Sequence, residues 1–167
     1  MATALDIRVR HAEERDLPVV EALLLEAARW VDALGVVMWE DGELERERLA
    51  GEIAAGQFFL AESDGAAAGV VRFQLEDPLF WPDMPSGEAA FVHRLAVSRQ
   101  FKDLGVSSAL LGWAVAHARA LGRQYLRLDC DASRPKLQAL YERAGFRLHS
   151  FRQVGPYYVA RYEYPLA

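Results

Sequence analysis

One segment of the chain places residues suited to binding a phosphate group at the start of a helix. A strand predicted over Glu88 to Ser98 leads through a polar turn into a helix predicted over Leu104 to Leu121. The unpaired N–H groups and the positive dipole end at a helix start form an anion site. Gly105 lets a phosphate approach the backbone because it has no Cβ, and Lys102 and Arg99 add positive charge. On this signal alone, Gly105 is equally explained as a structural glycine in a turn.

The same segment resembles the acetyl-CoA pyrophosphate loop of the GNAT superfamily of N-acetyltransferases. The family pattern Gln/Arg-x-x-Gly-x-Gly/Ala stands here as Lys102-Asp-Leu-Gly105-Val-Ser107, followed by Ser108-Ala-Leu-Leu111. Leu95-Ala-Val97 matches the strand whose backbone pairs with the pantetheine arm. A second signature, Leu-Tyr-Glu-x-x-Gly-Phe, is matched by Leu140-Tyr141-Glu-Arg-Ala-Gly145-Phe146. The likeness extends from about residue 88 to residue 148, and the N-terminal third agrees in element order only.

Three positions in the implied cofactor site depart from the family pattern. Lys102 replaces the customary Arg or Gln and keeps the charge without the planar fork. Ser107 replaces a Gly or Ala, and its hydroxyl can bond a phosphate. Arg134 stands where the family often has an Asn that bonds the cofactor arm, and it either reaches a phosphate or faces solvent. The residues that the resemblance assigns to acetyl-CoA are Leu95, Ala96, Val97, Lys102, Asp103, Leu104, Gly105, Val106, Ser107, Ser108 and Arg134.

The implied reaction is direct attack of a neutral amine on the thioester carbonyl, which needs a base for the ammonium and an acid for the thiolate. The resemblance points to Tyr141 as the acid, a phenol that is neutral at pH 7, although its helical register also suits a core aromatic. His93 is the first candidate base, because imidazole titrates near neutral pH and His93 precedes Leu95 by two residues on one strand face. A strand histidine is also often a structural hydrogen-bonder. Glu88 is the rival base, acting through a water chain.

The acceptor pocket is predicted between the first two helices and a proline-rich loop over Glu76 to Gly87. Trp39 beside Glu40 could hold an ammonium group by cation–π contact and charge pairing, or the tryptophans could close a helical hairpin. Large aromatics in the loop indicate either a pocket wall or a loop pinned to the core. The candidate pocket residues are Trp30, Trp39, Glu40 and Trp81.

The composition of the chain limits the classes of partner and the cellular compartment that we expect. The 167 residues, 52% of them hydrophobic, suit a single domain spanning residues 1–167. A formal net charge of −5 argues against a nucleic-acid partner and slightly favours a cationic substrate. The single cysteine, Cys130, and the absence of a long apolar run lead us to expect a cytoplasmic protein without a membrane partner.

His11, His117 and His149 are too widely spaced to indicate a metal site. The aromatic-rich segment Tyr157 to Tyr164 makes a homodimer a candidate assembly.

The periodicity of the apolar residues predicts the order β-α-α-β-β-β-α-β-α-β-β, an α/β fold with a mixed sheet. The resemblance implies a central splayed sheet of about seven strands flanked by about four helices, the acyl-CoA N-acyltransferase fold. Helical crossovers after Ser98 and Asp131 predict parallel pairing at both places, and Asp64-Gly65 predicts a hairpin. The helices are predicted over Glu13–Leu34, Gly42–Ala55, Leu104–Leu121 and Arg134–Ala144, and the strands over Asp6–Arg10, Gln57–Glu62, Ala66–Leu75, Glu88–Ser98, Gln124–Asp131, Phe146–Arg152 and Tyr157–Tyr164.

These patterns predict an N-acetyltransferase that moves an acetyl group from acetyl-CoA to a primary amine of a small molecule or peptide, without a metal. The alternative is a non-catalytic acyl-CoA-binding sensor or an interaction module on the same fold, suggested by the departures at Lys102, Ser107 and Arg134. A transferase for longer acyl groups also stays open, and the acceptor amine is not identified.

Overall fold

The computed structural model describes residues 5–32 and 44–166, and within them the elements follow the predicted order. Their bounds differ from the predicted ones by a few residues. The predicted helix end at Leu34 and helix start at Gly42 lie outside the described residues. The strands are β1 (Arg8–His11), β2 (Phe58–Ser63), β3 (Ala66–Gln74), β4 (Ala89–Val97), β5 (Tyr125–Asp131), β6 (Arg147–Val154) and β7 (Tyr157–Pro165), and the helices are α1 (Leu17–Asp32), α2 (Arg46–Ala54), α3 (Val106–Ala120) and α4 (Pro135–Arg143).

The strands form a seven-stranded sheet in the order β1-β2-β3-β4-β5-β7-β6. The β1–β2, β2–β3, β5–β7 and β7–β6 pairs are antiparallel and β4–β5 is parallel, which confirms the predicted mixed α/β fold. Asp64 and Gly65, between β2 and β3, have φ values of 49° and 78°. Left-handed conformations at both central residues are those of a tight hairpin turn, as this dipeptide predicted.

The prediction of parallel pairing after the second crossover is wrong. Helix α4 connects β5 to β6, but β7 lies between these two strands and pairs antiparallel with both of them. The four central residues of β7, 159–162, are buried, whereas most of β6 is exposed or half-buried. The more apolar strand of the final hairpin therefore takes the interior position, and β6 becomes the edge.

The contacts of the chain define two compact units, Met1–Arg72 with Arg94–Leu110, and Phe73–His93 with Leu111–Ala167. A single domain over residues 1–167 stays a prediction. In the first unit, α1 and α2 contribute Val20, Leu24 and Leu49 to a buried core that β2 and β3 complete with Leu60 and Val70. These side chains are fully buried, and the amphipathic pattern of α1 accounts for its place in this core.

The second unit contains β5, β7, β6 and α4. Helix α4 ends at Arg143, and Gly145 follows with a φ of 100°. The N–H of Phe146 donates to the carbonyl of Tyr141, so the predicted left-handed glycine does end this helix. A Cβ on Gly145 would lie 2.8 Å from Cε2 of Tyr164, so close packing also requires glycine here.

Among the described residues, no helix has the length and apolar character needed to cross a membrane.

Candidate functional site

The turn between β4 and α3 is the segment in which the sequence predicts a phosphate-binding loop. A short 3₁₀ helix, Arg99–Phe101, follows β4, and Asp103 and Gly105 then adopt left-handed φ values of 61° and 85°. Helix α3 begins at Val106, two residues later than predicted. The first N–H groups of a helix have no intrahelical acceptor, so this turn presents backbone donors.

Gly105 stands in open space at the start of α3. A Cβ built on it would meet no atom within 4 Å, so its left-handed backbone, rather than crowding, favours glycine. Residues 102–105 are exposed, and Ser107 is half-buried in the first turn of α3. This exposed loop is therefore accessible to a ligand. Of the other predicted cofactor residues, Leu95, Val97 and Arg134 are half-buried, Ala96 and Val106 are buried, and Ser108 is exposed.

Trp30, a predicted pocket residue, lies beside Arg99, the first residue of the short 3₁₀ helix. The guanidinium of Arg99 stacks over its ring at 4.5 Å, and the backbone N–H of Arg99 donates to Oε1 of Glu26 at 2.6 Å. Glu26 and Trp30 are one helical turn apart on α1, so this turn of α1 holds the beginning of the loop. Trp39 and Glu40 lie outside the described residues.

His93 is held by a carboxylate that the sequence reasoning did not identify. Its Nε2 lies 2.7 Å from Oδ2 of Asp77, whose side chain is only 5% exposed. Burial alone would raise the pKa of Asp77, but the hydrogen bond from His93 and the charge of His93 outweigh burial and lower that pKa. Asp77 is therefore ionised at neutral pH, and the proton in this hydrogen bond belongs to Nε2 of His93.

A second carboxylate faces the other ring nitrogen of His93. Oδ2 of Asp129 lies 3.7 Å from Nδ1, and the Asp129 side chain is 9% exposed. Burial raises the pKa of Asp129 to about 6, and His93 acts in the opposite direction. This oxygen has no hydrogen-bond partner among the described residues.

The position of this pair follows from the sheet. The parallel ladder between β4 and β5 ends at the pair Phe91↔Arg127. His93 and Asp129 are the residues two positions further along their strands, so they share a face with that last pair where the ladder stops. Arg94, immediately after His93, has a φ of 52°, which breaks the regular extended geometry. The shared face of His93 and Leu95, which was argued from regular alternation, therefore stays a prediction.

Tyr141 lies in α4 and is 7% exposed. Its ring contacts Phe146 and Tyr162 at centroid distances of 6.2 Å each. Burial, and then the nearby Cys130 and Asp129, raise the pKa of Tyr141 above its ordinary value, so the phenol stays protonated at neutral pH. The residue thus has core contacts and also the protonation state that an acid requires.

Glu88, the rival base, is bound in an ion-pair cluster. Its Oε2 accepts from Nη2 of Arg127 at 3.0 Å, and Nε of Arg127 donates to Glu163 at 3.1 Å. The Arg127 side chain is 3% exposed and stacks on the rings of Trp81 and Tyr125. Glu88 therefore partly neutralises a buried cation.

Trp81 pins the proline-rich loop to the second unit. The residue is 2% exposed, and the guanidinium of Arg161 lies 4.5 Å from its ring centre. Arg161 also donates to Asp83 at 2.7 Å and to the carbonyl of Phe80 at 3.1 Å. These contacts favour the alternative of a pinned loop over an open pocket wall, and the pocket role of Trp81 stays a prediction.

Asp77, His93 and Asp129 also have the side-chain types of a metal site, and one ligand atom from each lies within 4.8 Å of the others. The short contacts, however, address opposite ring nitrogens, Nε2 from Asp77 and Nδ1 from Asp129. In this structure the histidine therefore lies between two carboxylates. Sequence reasoning missed both aspartates. No sequence signal singled out either residue, because the face of β5 that carries Asp129 also carries Arg127 and Asp131, and Asp77 lies in an irregular loop.

The mixed α/β sheet and the glycine turn before α3 agree with the family that the sequence resembles, and comparisons with known proteins identify that family. Residues 20–146 match the model of the acetyltransferase (GNAT) family. The chain is 30% identical over 138 residues to YesJ of Bacillus subtilis (strain 168), an uncharacterized N-acetyltransferase, with 78% of this chain and 76% of YesJ covered. The chain belongs to the GNAT family, and it is an acetyl-CoA-dependent N-acetyltransferase.

Solved structures show the same fold. A GNAT-family acetyltransferase from Listeria monocytogenes 4b F2365 matches with a TM-score of 0.78 and 25% identity, covering 97% of this chain and 98% of that one. The PaiA N-acetyltransferase from Thermoplasma acidophilum, solved in complex with coenzyme A, matches with a TM-score of 0.75 and 18% identity. That match covers 96% of this chain and 100% of the Thermoplasma chain.

Proposed function

We propose that this enzyme transfers the acetyl group to the primary amine of a small molecule or peptide, by direct attack of the amine on the thioester. The observation that carries the proposal is the hydrogen bond between Nε2 of His93 and ionised Asp77. When His93 is neutral, this bond keeps its proton on Nε2, which leaves a lone pair on Nδ1 to accept a proton from the amine.

The remaining roles are assigned by the chemistry of the predicted groups. Tyr141 stays protonated at neutral pH and donates to the departing thiolate of coenzyme A. The donors at the start of α3, with Lys102 and Gly105, bind the pyrophosphate of acetyl-CoA. The complex of the Thermoplasma relative with coenzyme A supports this cofactor assignment.

His93 is preferred to Glu88 as the base because of their partners. A proton on Glu88 would remove a negative charge that compensates Arg127, a buried cation with a side chain only 3% exposed. A buried cation that loses a partner is costly. His93 can accept a proton at Nδ1 while the bond from Nε2 to Asp77 is kept.

The proposal is tested in two steps. Purified protein is first titrated with acetyl-CoA by calorimetry, and a panel of primary amines is then screened by detection of the free thiol of coenzyme A. We expect binding of acetyl-CoA and amine-dependent thiol release. His93→Gln should lower kcat/KM for the amine by about 100-fold, since a positioned base contributes about 10² to 10⁴ in rate.

His149→Gln is the matched control, because His149 is exposed on the edge strand β6. It should retain activity. Binding of acetyl-CoA without thiol release from any amine would instead favour a non-catalytic acyl-CoA sensor. Equal activity of His93→Gln and the wild type would remove His93 from the mechanism.

A further inference from the structure

The unpartnered oxygen of Asp129 indicates a ligand that donates hydrogen bonds. Oδ2 of Asp129 is buried, and no donor among the described residues reaches it. A buried carboxylate oxygen without a partner is costly, since it has lost its hydration without replacement. Asp129 is therefore suited to pair with a group outside the described residues that carries N–H or O–H donors.

The geometry around this oxygen narrows the nature of the ligand. Nδ1 of His93 lies 3.7 Å from Oδ2 of Asp129, too far for a direct hydrogen bond. A single nitrogen or oxygen atom beside the line joining them can nevertheless lie about 2.8 Å from both. Such an atom needs one donor for the carboxylate and a second for His93 when His93 is neutral. An alkylammonium group supplies both, together with a positive charge.

We propose that Asp129 and His93 together bind the ammonium group of the acceptor, which makes the acceptor an aliphatic primary amine rather than a weakly basic arylamine. This inference rests on the proposed function and deepens it. An aliphatic amine is a cation at neutral pH, so it gains the charge-assisted hydrogen bond to the carboxylate. An arylamine is neutral at that pH and gains less.

The charges around His93 are consistent with a cation at this place. Asp77, in the loop after β3, holds Nε2, and Asp129, on β5, faces Nδ1. Arg161 of β7 is the cation that acts on Asp129, and it is bound to Asp83. Two carboxylates thus face one imidazole, and an ammonium group would compensate the second of them.

The chemical step balances without any further reactant. The ammonium group donates one N–H to Oδ2 of Asp129 and transfers a second proton to Nδ1 of His93. The neutral amine nitrogen then bonds to the carbonyl carbon of the thioester as the C–S bond breaks, and the thiolate takes the proton of Tyr141. Once the C–N bond has formed, the nitrogen carries a positive charge and gives up one further proton, which restores Tyr141. The products are the acetamide and coenzyme A, and the proton on His93 passes to solvent. Asp129 remains a carboxylate throughout and acts as a binding residue.

The direct test uses methylammonium chloride as the probe and proton NMR of the His93 ring as the readout, with coenzyme A and EDTA present. Tetramethylammonium chloride is the matched control ligand, because it has the same charge and no N–H donor. We expect methylammonium to shift the His93 resonances saturably in the wild type and tetramethylammonium to leave them unchanged. Asp129→Asn should abolish the response, whereas Asp64→Asn, the same change in the exposed hairpin turn, should retain it.

Steady-state kinetics with an aliphatic amine found in the screen provide a second test of the proposal. Asp129→Asn should raise KM for that amine by about ten- to a hundredfold, the value of a hydrogen bond to a charged group, and leave KM for acetyl-CoA unchanged. Removal of the Asp129 carboxylate also disfavours the protonated form of His93. The acidic limb of the pH profile of kcat/KM, below which the base is protonated, should therefore move to lower pH.

Several outcomes would overturn the assignment. An equal response to tetramethylammonium, a response that persists in Asp129→Asn, or no response in the wild type would leave only water beside Asp129. Activity that is lost in EDTA and restored by Zn²⁺ would assign the cluster to a metal instead. A protein that binds acetyl-CoA but acetylates no amine would defeat the proposed function, yet the methylammonium titration would still report on the ammonium site.

Discussion

Oδ2 of Asp129 lies 3.7 Å from Nδ1 of His93, beyond the last residue pair of the parallel β4–β5 ladder. Burial raises the pKa of Asp129 to about 6, although the charge of His93 acts in the opposite direction. The folded protein therefore binds a proton at Asp129 more tightly than the unfolded chain does. This difference ties the stability of the protein to pH.

Asp129→Asn should make the free energy of unfolding less dependent on pH. A carboxyl group whose pKa rises from 3.8 to about 6 on folding stabilises the fold fully below pH 3.8, and this contribution is lost as the pH rises through 6. Relative to the variant, the wild type should lose about 2–3 kcal/mol between pH 4 and pH 7. Urea unfolding at a series of pH values measures the difference, and Asp64→Asn is the control. Parallel curves for wild type and Asp129→Asn would contradict the raised pKa.

Tyr141→Phe should separate chemistry from cofactor binding. The substitution keeps the ring contacts with Phe146 and Tyr162 and removes the hydroxyl that would protonate the thiolate. We expect kcat to fall by about 10² and the affinity for acetyl-CoA to stay unchanged, as measured by thiol release and calorimetry. Tyr158→Phe is the control, because Tyr158 is 53% exposed and stacks on Phe151. Undiminished kcat in Tyr141→Phe would make Tyr141 a core aromatic only.

Features set by neighbouring residues could be predicted from the sequence. The dipeptide Asp64-Gly65 requires only its own backbone to form a hairpin turn, and Gly145 ends α4 through contacts within a few residues. On α3, by contrast, the spacing of Leu110, Trp113 and His117 suits one helical face, yet Trp113 and His117 are half-buried and stack on each other. The buried stripe of α3 is continued by Ala114 and Ala118, because small residues allow the helix to approach its neighbours.

Features that depend on the sheet could not be predicted. Strand β7 lies between β5 and β6 and pairs antiparallel with both of them. Local sequence patterns do not show which strands will become its neighbours. The pairing of His93 with Asp77 joins residues that are 16 positions apart across an irregular loop. Asp129 reaches His93 only because β4 and β5 are neighbouring parallel strands. His93 could thus be proposed as a base from its type and its motif, whereas the carboxylates on either side of it required the structure.

Asp103→Asn should strengthen the binding of acetyl-CoA. Asp103 is exposed in the loop before α3 and has a φ of 61°, a conformation that Asn tolerates, so the backbone should be kept. The change removes a negative charge beside the predicted pyrophosphate site, and we expect Kd to fall about threefold at low salt and less at high salt. Asp64→Asn, an aspartate with a φ of 49° in another turn, is the control in calorimetric titrations. Unchanged affinity at low salt would place the pyrophosphate away from this loop.

Gly69→Ala should destabilise the fold and weaken the binding of acetyl-CoA together. A Cβ on Gly69 of β3 would lie 2.9 Å from the carbonyl oxygen of Ala96 and 3.0 Å from Cγ1 of Val106, so β4 and the start of α3 must move. Overpacking of this kind typically costs about 1–3 kcal/mol, measurable by urea unfolding.

Gly112→Ala is the matched control for this substitution. Gly112 lies in α3, and a Cβ on it meets no atom within 4 Å, so the better helix former should stabilise the protein by up to about 1 kcal/mol. Ala96 and Val106 are both predicted cofactor residues, so the affinity for acetyl-CoA should fall in Gly69→Ala and not in Gly112→Ala. Gly69→Ala could instead lose stability and still bind acetyl-CoA as the wild type does. The binding of acetyl-CoA at the start of α3 would then not depend on the contact between β3 and α3.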